Sequence, residues 1–279
     1  MRRCFVLIAS GRDTRYIERG TVTAIRSITL SNPGIPIVVL HHDLSPEQEQ
    51  LLAGAVVKRV DLPSFQLSGW SRLSRPDIPD TCYLSMCLEV ITDFDVAVYI
   101  DADTVVLEPL DDVFVMKAPA VARVMDDYPL VEHFEDGERI LLQESVNAVY
   151  AINNGLVRFD LRYWRANSLL RQAEELFRKY GPDAFRLTDQ SLLNLIVYKT
   201  GTLQPISRIY NFCRYPDMLL MEHTLVKNDF GWIAPKIVEG VVKVVHWTGP
   251  LKPWSADVDR FENSRLALCL DCYEQFGAD

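Results

Sequence analysis

Asp95-Val96-Ala97-Val98-Tyr99-Ile100-Asp101-Ala102-Asp103-Thr104-Val105-Val106-Leu107 is the most informative stretch of this chain. Val96–Ile100 has the length and β-branched content of a buried strand. It runs directly into two carboxylates separated by one small residue. In open α/β sheets, ligands bind at the carboxyl ends of strands. Two carboxylates at such an edge repel each other unless a cation lies between them. Oxygen donors of this kind suit Mg²⁺ or Mn²⁺, which in turn grips a diphosphate. A turn or helix cap built from Asp accounts for the same letters equally well, so the decision passes to the rest of the chain.

Working outward, Phe5–Ala9, Ile37–Leu40 and Val56–Val60 read as further buried strands. Helical signals separate them. Ser45-Pro46-Glu47-Gln48 supplies an N-cap hydroxyl, a proline at the first helical position and a capping-box glutamine, and Gly54 ends that helix. Farther on, Leu169, Leu170, Ala173, Leu176, Phe177 and Tyr180 recur at helical spacing before Gly181-Pro182. Strand–helix alternation calls for an α/β fold with a mixed, mostly parallel central sheet covered on both faces, because parallel neighbours need crossover helices. Past residue 110, strands are expected at Ala120–Val124, Val149–Phe159 and Val241–Val245, with Asp126–Glu144 rich in loop. No linker composition interrupts the chain. One domain is therefore expected: a nucleotide-binding half over 1–110, a sugar- and acceptor-facing half over 111–254, and a tail over 255–279.

The 279 residues are 48% hydrophobic and 24% charged, an ordinary globular mixture rather than that of a disordered chain. With 29 basic and 38 acidic residues the net charge is −9, the wrong sign for a nucleic-acid partner. No apolar run approaches the ~18 to 20 residues that span a bilayer. Met1-Arg2-Arg3-Cys4 leads into the first strand rather than a signal peptide, and the tail from Ser255 carries six acids and two arginines, unlike a basic membrane anchor. Six cysteines without a sequon suit reduced thiols, so a cytoplasmic location is expected. Cys82, Cys87, Cys269 and Cys272 also permit a four-thiolate zinc site, against the blander alternative of buried free thiols. His41-His42-Asp43 reads as a surface loop, since adjacent strand residues face opposite ways.

A second segment, Val244-Val245-His246-Trp247-Thr248-Gly249-Pro250-Leu251-Lys252-Pro253-Trp254, delivers an imidazole from a strand. Gly249 then allows close backbone approach and Lys252 adds a point charge suited to phosphate. A structural turn with an exposed lysine explains this segment alone. Together, Asp101–Asp103 and His246–Trp254 resemble glycosyltransferase family 8, the group of glycogenin and the bacterial lipopolysaccharide galactosyltransferases. The likeness runs from about Phe5 to Trp254.

The resemblance implies a GT-A-type nucleotide-diphospho-sugar transferase domain. In it Asp101, Asp103 and His246 hold Mn²⁺ (or Mg²⁺), and Gly249 and Lys252 contact the diphosphate of a UDP-sugar. It further implies a uridine pocket at Ala9, Ser10 and Tyr16, although Tyr16 is also placed to be a core aromatic of the first helix. Tyr150-Ala151-Ile152-Asn153-Asn154-Gly155 looks like the family's sugar-binding strand, and Thr188-Asp189-Gln190 like its helix start. Asp189 would then hydrogen-bond the sugar with Gln190 near the anomeric carbon, against the alternative of a simple helix cap. Asp126 falls where the family has another sugar-binding aspartate.

One departure stands out: family members carry Arg or Lys where Tyr83-Leu84-Ser85-Met86 offers Ser85, so Arg72 or Arg75 would have to substitute. The expected activity is retaining transfer of a hexose to an acceptor hydroxyl, by a front-face route because no unambiguous carboxylate nucleophile is present. A sugar-nucleotide pyrophosphorylase and a non-catalytic sugar-nucleotide-binding protein are the alternatives. Neither a P-loop, a dinucleotide fingerprint nor a nucleophile elbow occurs.

Overall fold

A computed structural model describes residues 1–61, 80–255 and 264–277. Strands β1 (Arg3–Ile8), β2 (Ile37–His41), β3 (Val56–Arg59) and β4 (Val96–Ile100) lie parallel, with β1 central between β2 and β4. Every residue of β2 and β4 is buried, which is why these strands read as unbroken apolar runs rather than alternating ones. Next come β5 (Thr104–Val106), β6 (Ala120–Pro129), β7 (Tyr150–Asp160) and β8 (Leu203–Pro205). The seven-stranded sheet has the order β3-β2-β1-β4-β7-β6-β8, and β7 runs antiparallel to both of its neighbours.

The local signals act as the chemistry requires. Gln48 N donates to Ser45 Oγ and Ser45 N to Gln48 Oε1, closing the capping box, and Gly54 ends the turn at φ +97°. Helix Leu169–Tyr180 buries Leu169, Ala173, Leu176 and Phe177 against the sheet.

Two expectations are corrected. Asp126–Glu144 is not mainly loop. Strand β6 continues to Pro129, a 3₁₀ turn spans Leu130–His133 and a helix spans Gly137–Gln143. Register shifts along β6 let its far end extend with Asp126 and Asp127 facing solvent, so polarity there marks an exposed strand end. The single strand expected at Val241–Val245 is two. Strands β9 (Phe212–Cys213), β10 (Thr224–Lys227), β11 (Ile233–Ile237), β12 (Gly240–Val241) and β13 (Val244–His246) complete the set. Strand β12 joins the small antiparallel sheet β10-β11-β12, whereas β13 lies between β5 and β9. The chain changes sheets at Val242 and Lys243.

That switch positions the site. Strand β5 leaves the sheet just beyond the acidic pair, and β13 pairs with it antiparallel, His246 opposite Thr104. The late imidazole is thus carried to the carboxyl end of β4. All six cysteines are free thiols. Cys87 packs in the core under helix Leu169–Tyr180, whereas Cys269 and Cys272 pack with β11 and β13, so the four-thiolate arrangement does not form. No helix among the described residues is long and apolar enough to cross a membrane.

Candidate active site

His246 Nε2 lies 3.5 Å from Asp101 Oδ2 and 3.3 Å from Asp103 Oδ1. One ligand atom from each of the three residues falls within 4.8 Å of the others. Backbone bonds brace the cluster: Asp101 N donates to Gly155 O at 3.1 Å and Trp247 N to Asp103 O at 3.1 Å. Tyr99 Oη donates to Asp101 Oδ1 at 2.5 Å. Lys252 Nζ bonds Asp103 Oδ2 and the Trp247 carbonyl.

The electrostatics divide the pair. Burial pushes the Asp103 carboxyl up, but Lys252 and His246 outweigh it and hold the group below the usual carboxylate range. Asp101 goes the other way, raised by burial and by Asp103 against the pull of His246. Burial would lower the His246 pKa, yet the Asp103 charge and hydrogen bond push it up to about 10. The Nε2 edge of His246 thus faces both carboxylates, and the same three residues would hold a metal cation.

Asn153 and Gly155 of β7, together with Asn211, aim the imidazole. Gly155 N–H donates to Asn153 Oδ1, which also accepts from Asn211 Nδ2 at 2.8 Å. This orients the Asn211 amide so that its Oδ1 accepts from His246 Nδ1–H at 3.0 Å. The Nε2 edge is left for the carboxylates or a cation, as second-shell partners of metal-bound histidines usually arrange. Gly155 is required by space: a Cβ there would meet His246 Nδ1 at 2.0 Å. Asn211 is held in turn by the buried Arg123–Asp217 ion pair, since Arg123 Nη1 donates to Asn211 O at 2.7 Å and Asp217 accepts from Cys213 N.

On the sugar side, the buried Asp189 carboxylate accepts from Ser85 Oγ at 2.9 Å, Thr188 Oγ1 at 3.1 Å and Asn154 Nδ2 at 3.3 Å. Burial, reinforced by Asp101, raises its pKa to about 6. Gln190 Oε1 accepts from Asn154 N and Asn153 Nδ2. Asn194 clamps this helix to β7 by bonding both N and O of Ile152. Ser85 thus fills its position with a neutral hydroxyl. Arg72 and Arg75, the expected substitutes, lie outside the described residues.

Ala9 is buried at the end of β1, and Ser10 Oγ donates to Asp43 Oδ2 at 3.1 Å. Asp43 also accepts from Gly11 N at 2.8 Å. His41, its neighbour, is buried and accepts from Leu44 N. The surface-loop expectation for His41-His42-Asp43 is corrected at His41, the buried last residue of β2, whereas His42 and Asp43 form a half-buried bend just beyond that strand, on the edge where ligands bind. Tyr16 meets Trp254 edge-on at 5.3 Å and feels the charges of Asp103 and Asp101, so it belongs to the rim of the cluster. Gly20 makes that packing possible, for a Cβ there would lie 2.8 Å from Trp254 and 3.0 Å from Ala102 O. Asp126 is exposed and paired with Arg208 at 3.2 Å, and among the described residues no hydrogen bond links it to the other candidates.

Gly249, at φ +80°, turns the chain between His246 and Lys252, and a Cβ on it would meet Arg214 Nη2 at 2.7 Å. Arg214, Asn211, Asp43 and Gly20 escaped sequence reasoning. Asp43 alone carried a usable signal, its place after a strand at the binding edge.

The sequence model described as Glycosyl transferase family 8 matches residues 7–257. The "Probable glycosyl transferase Gly" of Streptococcus gordonii is 25% identical over 258 residues, covering 90% of this chain and 33% of that protein. "Probable galacturonosyltransferase-like 2" of Arabidopsis thaliana is 21% identical over 271 residues, covering 88% of this chain and 75% of that one. The chain spans about a third of the streptococcal protein's length. Among solved structures, the galactosyltransferase LgtC in complex with donor and acceptor sugar analogs superposes with a TM-score of 0.69 at 20% identity, covering 98% of this chain and 94% of that one. This likeness identifies the fold as GT-A.

Proposed function

Because the chain belongs to glycosyltransferase family 8, we propose that it transfers a hexose from a UDP-sugar to an acceptor hydroxyl with retention, using Mn²⁺ or Mg²⁺ at Asp101, Asp103 and His246. One observation carries this reading: two carboxylates and an imidazole converge within 4.8 Å at the carboxyl end of β4. The donor set fits the ion, since hard oxygens suit Mg²⁺ and an added imidazole tilts the choice toward Mn²⁺. The cation, when bound, would offset negative charge building on the departing UDP.

The chain's own groups do the remaining work. Lys252 and the turn at Gly249 bind the diphosphate, and Asn153, Asn154, Asp189 and Gln190 orient the sugar. Ala9, Ser10 and Tyr16 border the base. Asp189 is tied to three donors at once, which favours a holding role over nucleophilic attack and supports a front-face course. In that course the acceptor oxygen bonds the anomeric carbon on the face from which UDP leaves. The carbon–oxygen bond to UDP breaks with its electron pair passing to the phosphate, and the acceptor proton passes to that same phosphate. Preorganised charge of this kind contributes most of many enzymes' acceleration.

A panel of UDP-sugars incubated with Mn²⁺, with and without chelator, tests the reading. Mn²⁺-dependent release of UDP supports it. Release of pyrophosphate instead would make the protein a pyrophosphorylase, and binding of UDP and Mn²⁺ without turnover of any donor would make it a non-catalytic binder.

A further inference from the structure

Arg214 has no part in the chemistry above, yet it stands at the edge of the diphosphate turn. It follows β9 directly, one residue beyond Cys213, which lies opposite His246 in the parallel β9–β13 pairing. Its Nε donates to the Thr248 carbonyl at 2.7 Å, which aims the guanidinium along the Thr248–Gly249 peptide. The missing side chain of Gly249 leaves Nη2 beside the turn, in space that a Cβ would close. The group is half-buried, a setting that disfavours its charge. No carboxylate among the described residues lies within the 4.0 Å of an ion pair. A guanidinium carries five donors in a fixed fork that matches phosphate oxygens, and the Nη donors here have no protein acceptor among the described residues.

Charge balance asks for such a cation. A divalent ion and Lys252 bring three positive charges against the two of the Asp101–Asp103 pair and the two of an esterified diphosphate. As the bond breaks, further negative charge builds on the departing phosphate before the acceptor proton reaches it. Ser85, on the sugar side, offers only a hydroxyl, which is spent on Asp189.

We propose that Arg214 binds the leaving phosphate of the nucleotide diphosphate through its Nη groups, alongside Lys252 and the Gly249 turn. The proposal rests on the UDP-sugar reading and names a protein contact for that donor. As the carbon–oxygen bond breaks and its electron pair moves onto the phosphate, the two N–H donors meet the growing charge. Arg214 itself gives up no proton.

Calorimetric titration of the Mn²⁺-loaded protein with UDP, and with UMP as the probe lacking the terminal phosphate, tests this in wild type, Arg214→Gln and Arg214→Lys. Arg214→Gln should weaken UDP about tenfold to a hundredfold, the loss of a charge-assisted hydrogen bond, and leave UMP within about twofold. Arg214→Lys should fall between. A melting temperature is taken for each variant, and if the glutamine variant does not fold, the UDP-to-UMP affinity ratio of the lysine variant decides. An unchanged ratio overturns the proposal, including the case in which only the acceptor KM rises and the guanidinium serves an anion on the acceptor. Failure of the wild type to bind UDP at all overturns the UDP-sugar reading with it, an outcome distinct from an unchanged ratio.

Discussion

Asp103 meets two cationic groups, His246 and Lys252, whereas Asp189, on the sugar side of the same site, meets among the described residues neutral donors such as Ser85, Thr188 and Asn154. Both carboxylates are buried, and their protonation diverges: Asp103 is held ionised below the usual range, while Asp189 is raised to about 6. Burial is costly to a carboxylate unless an opposite charge compensates it. The phosphate end of the site is therefore assembled around charge, and the sugar end around directed hydrogen bonds. A metal can replace the His246 proton at the first, whereas the second suits hydroxyl groups of a neutral ring.

The largest break in that contrast comes from Asp103→Asn, which removes a carboxylate of the proposed metal site and the ion-pair partner of Lys252. Turnover should fall at least about a hundredfold, with Mn²⁺ affinity lost, as read by steady-state rates and metal titration. Unchanged turnover would defeat the comparison at its charged end. Gly155→Ala comes next. The added methyl drives into His246, and Mn²⁺ affinity should drop about tenfold to a hundredfold by titration.

Asp189→Asn addresses the other end. A carboxyl raised to about 6 from the ordinary aspartate value of 3.8 binds its proton more tightly in the folded state. Its stability contribution is fully present below pH 3.8 and is lost as pH rises through about 6. The asparagine variant of the metal-free protein should therefore be more stable than wild type by about 3 kcal/mol at pH 7 and nearly equal to it at pH 3.5, as measured by denaturant unfolding. Its activity should collapse even so. Equal stability at both pH values would mean that Asp189 is compensated after all.

The smallest expected effect belongs to Ser85. Its hydrogen bond lowers the Asp189 pKa, so Ser85→Ala should move the acid limb of the kcat/KM profile upward by up to about one pH unit. Ser85→Arg should move it downward. Both limbs unmoved would separate Asp189 from the rate-determining ionisation.

The parts of the site legible in advance were those whose chemistry sits within a few neighbouring residues. Asp101 and Asp103 announce themselves because two acids at the end of a buried strand are costly without a purpose. His246, Gly249 and Lys252 share one short turn. The capping box at Ser45 and the amphipathic helix from Leu169 follow from local hydrogen bonding and periodicity. Asp126–Glu144 misled because an exposed strand end and a short helix have the same polar composition as a loop. Asn211, Arg214 and Gly20 carried no local signal, since each acts through a partner distant in the chain: His246, Gly249 and Trp254 respectively.

From its letters alone this chain yielded an α/β alternation, an acidic pair and a late imidazole, because strand hydrophobicity and side-chain chemistry are properties of short segments. Folding settled which charges face each other. Strand β13 crosses to lie between β5 and β9, and that pairing brings His246 to the carboxylates and sets Arg214 beside the Gly249 turn. Such proximities depend on the register and direction of strands far apart in the chain, which no local pattern encodes.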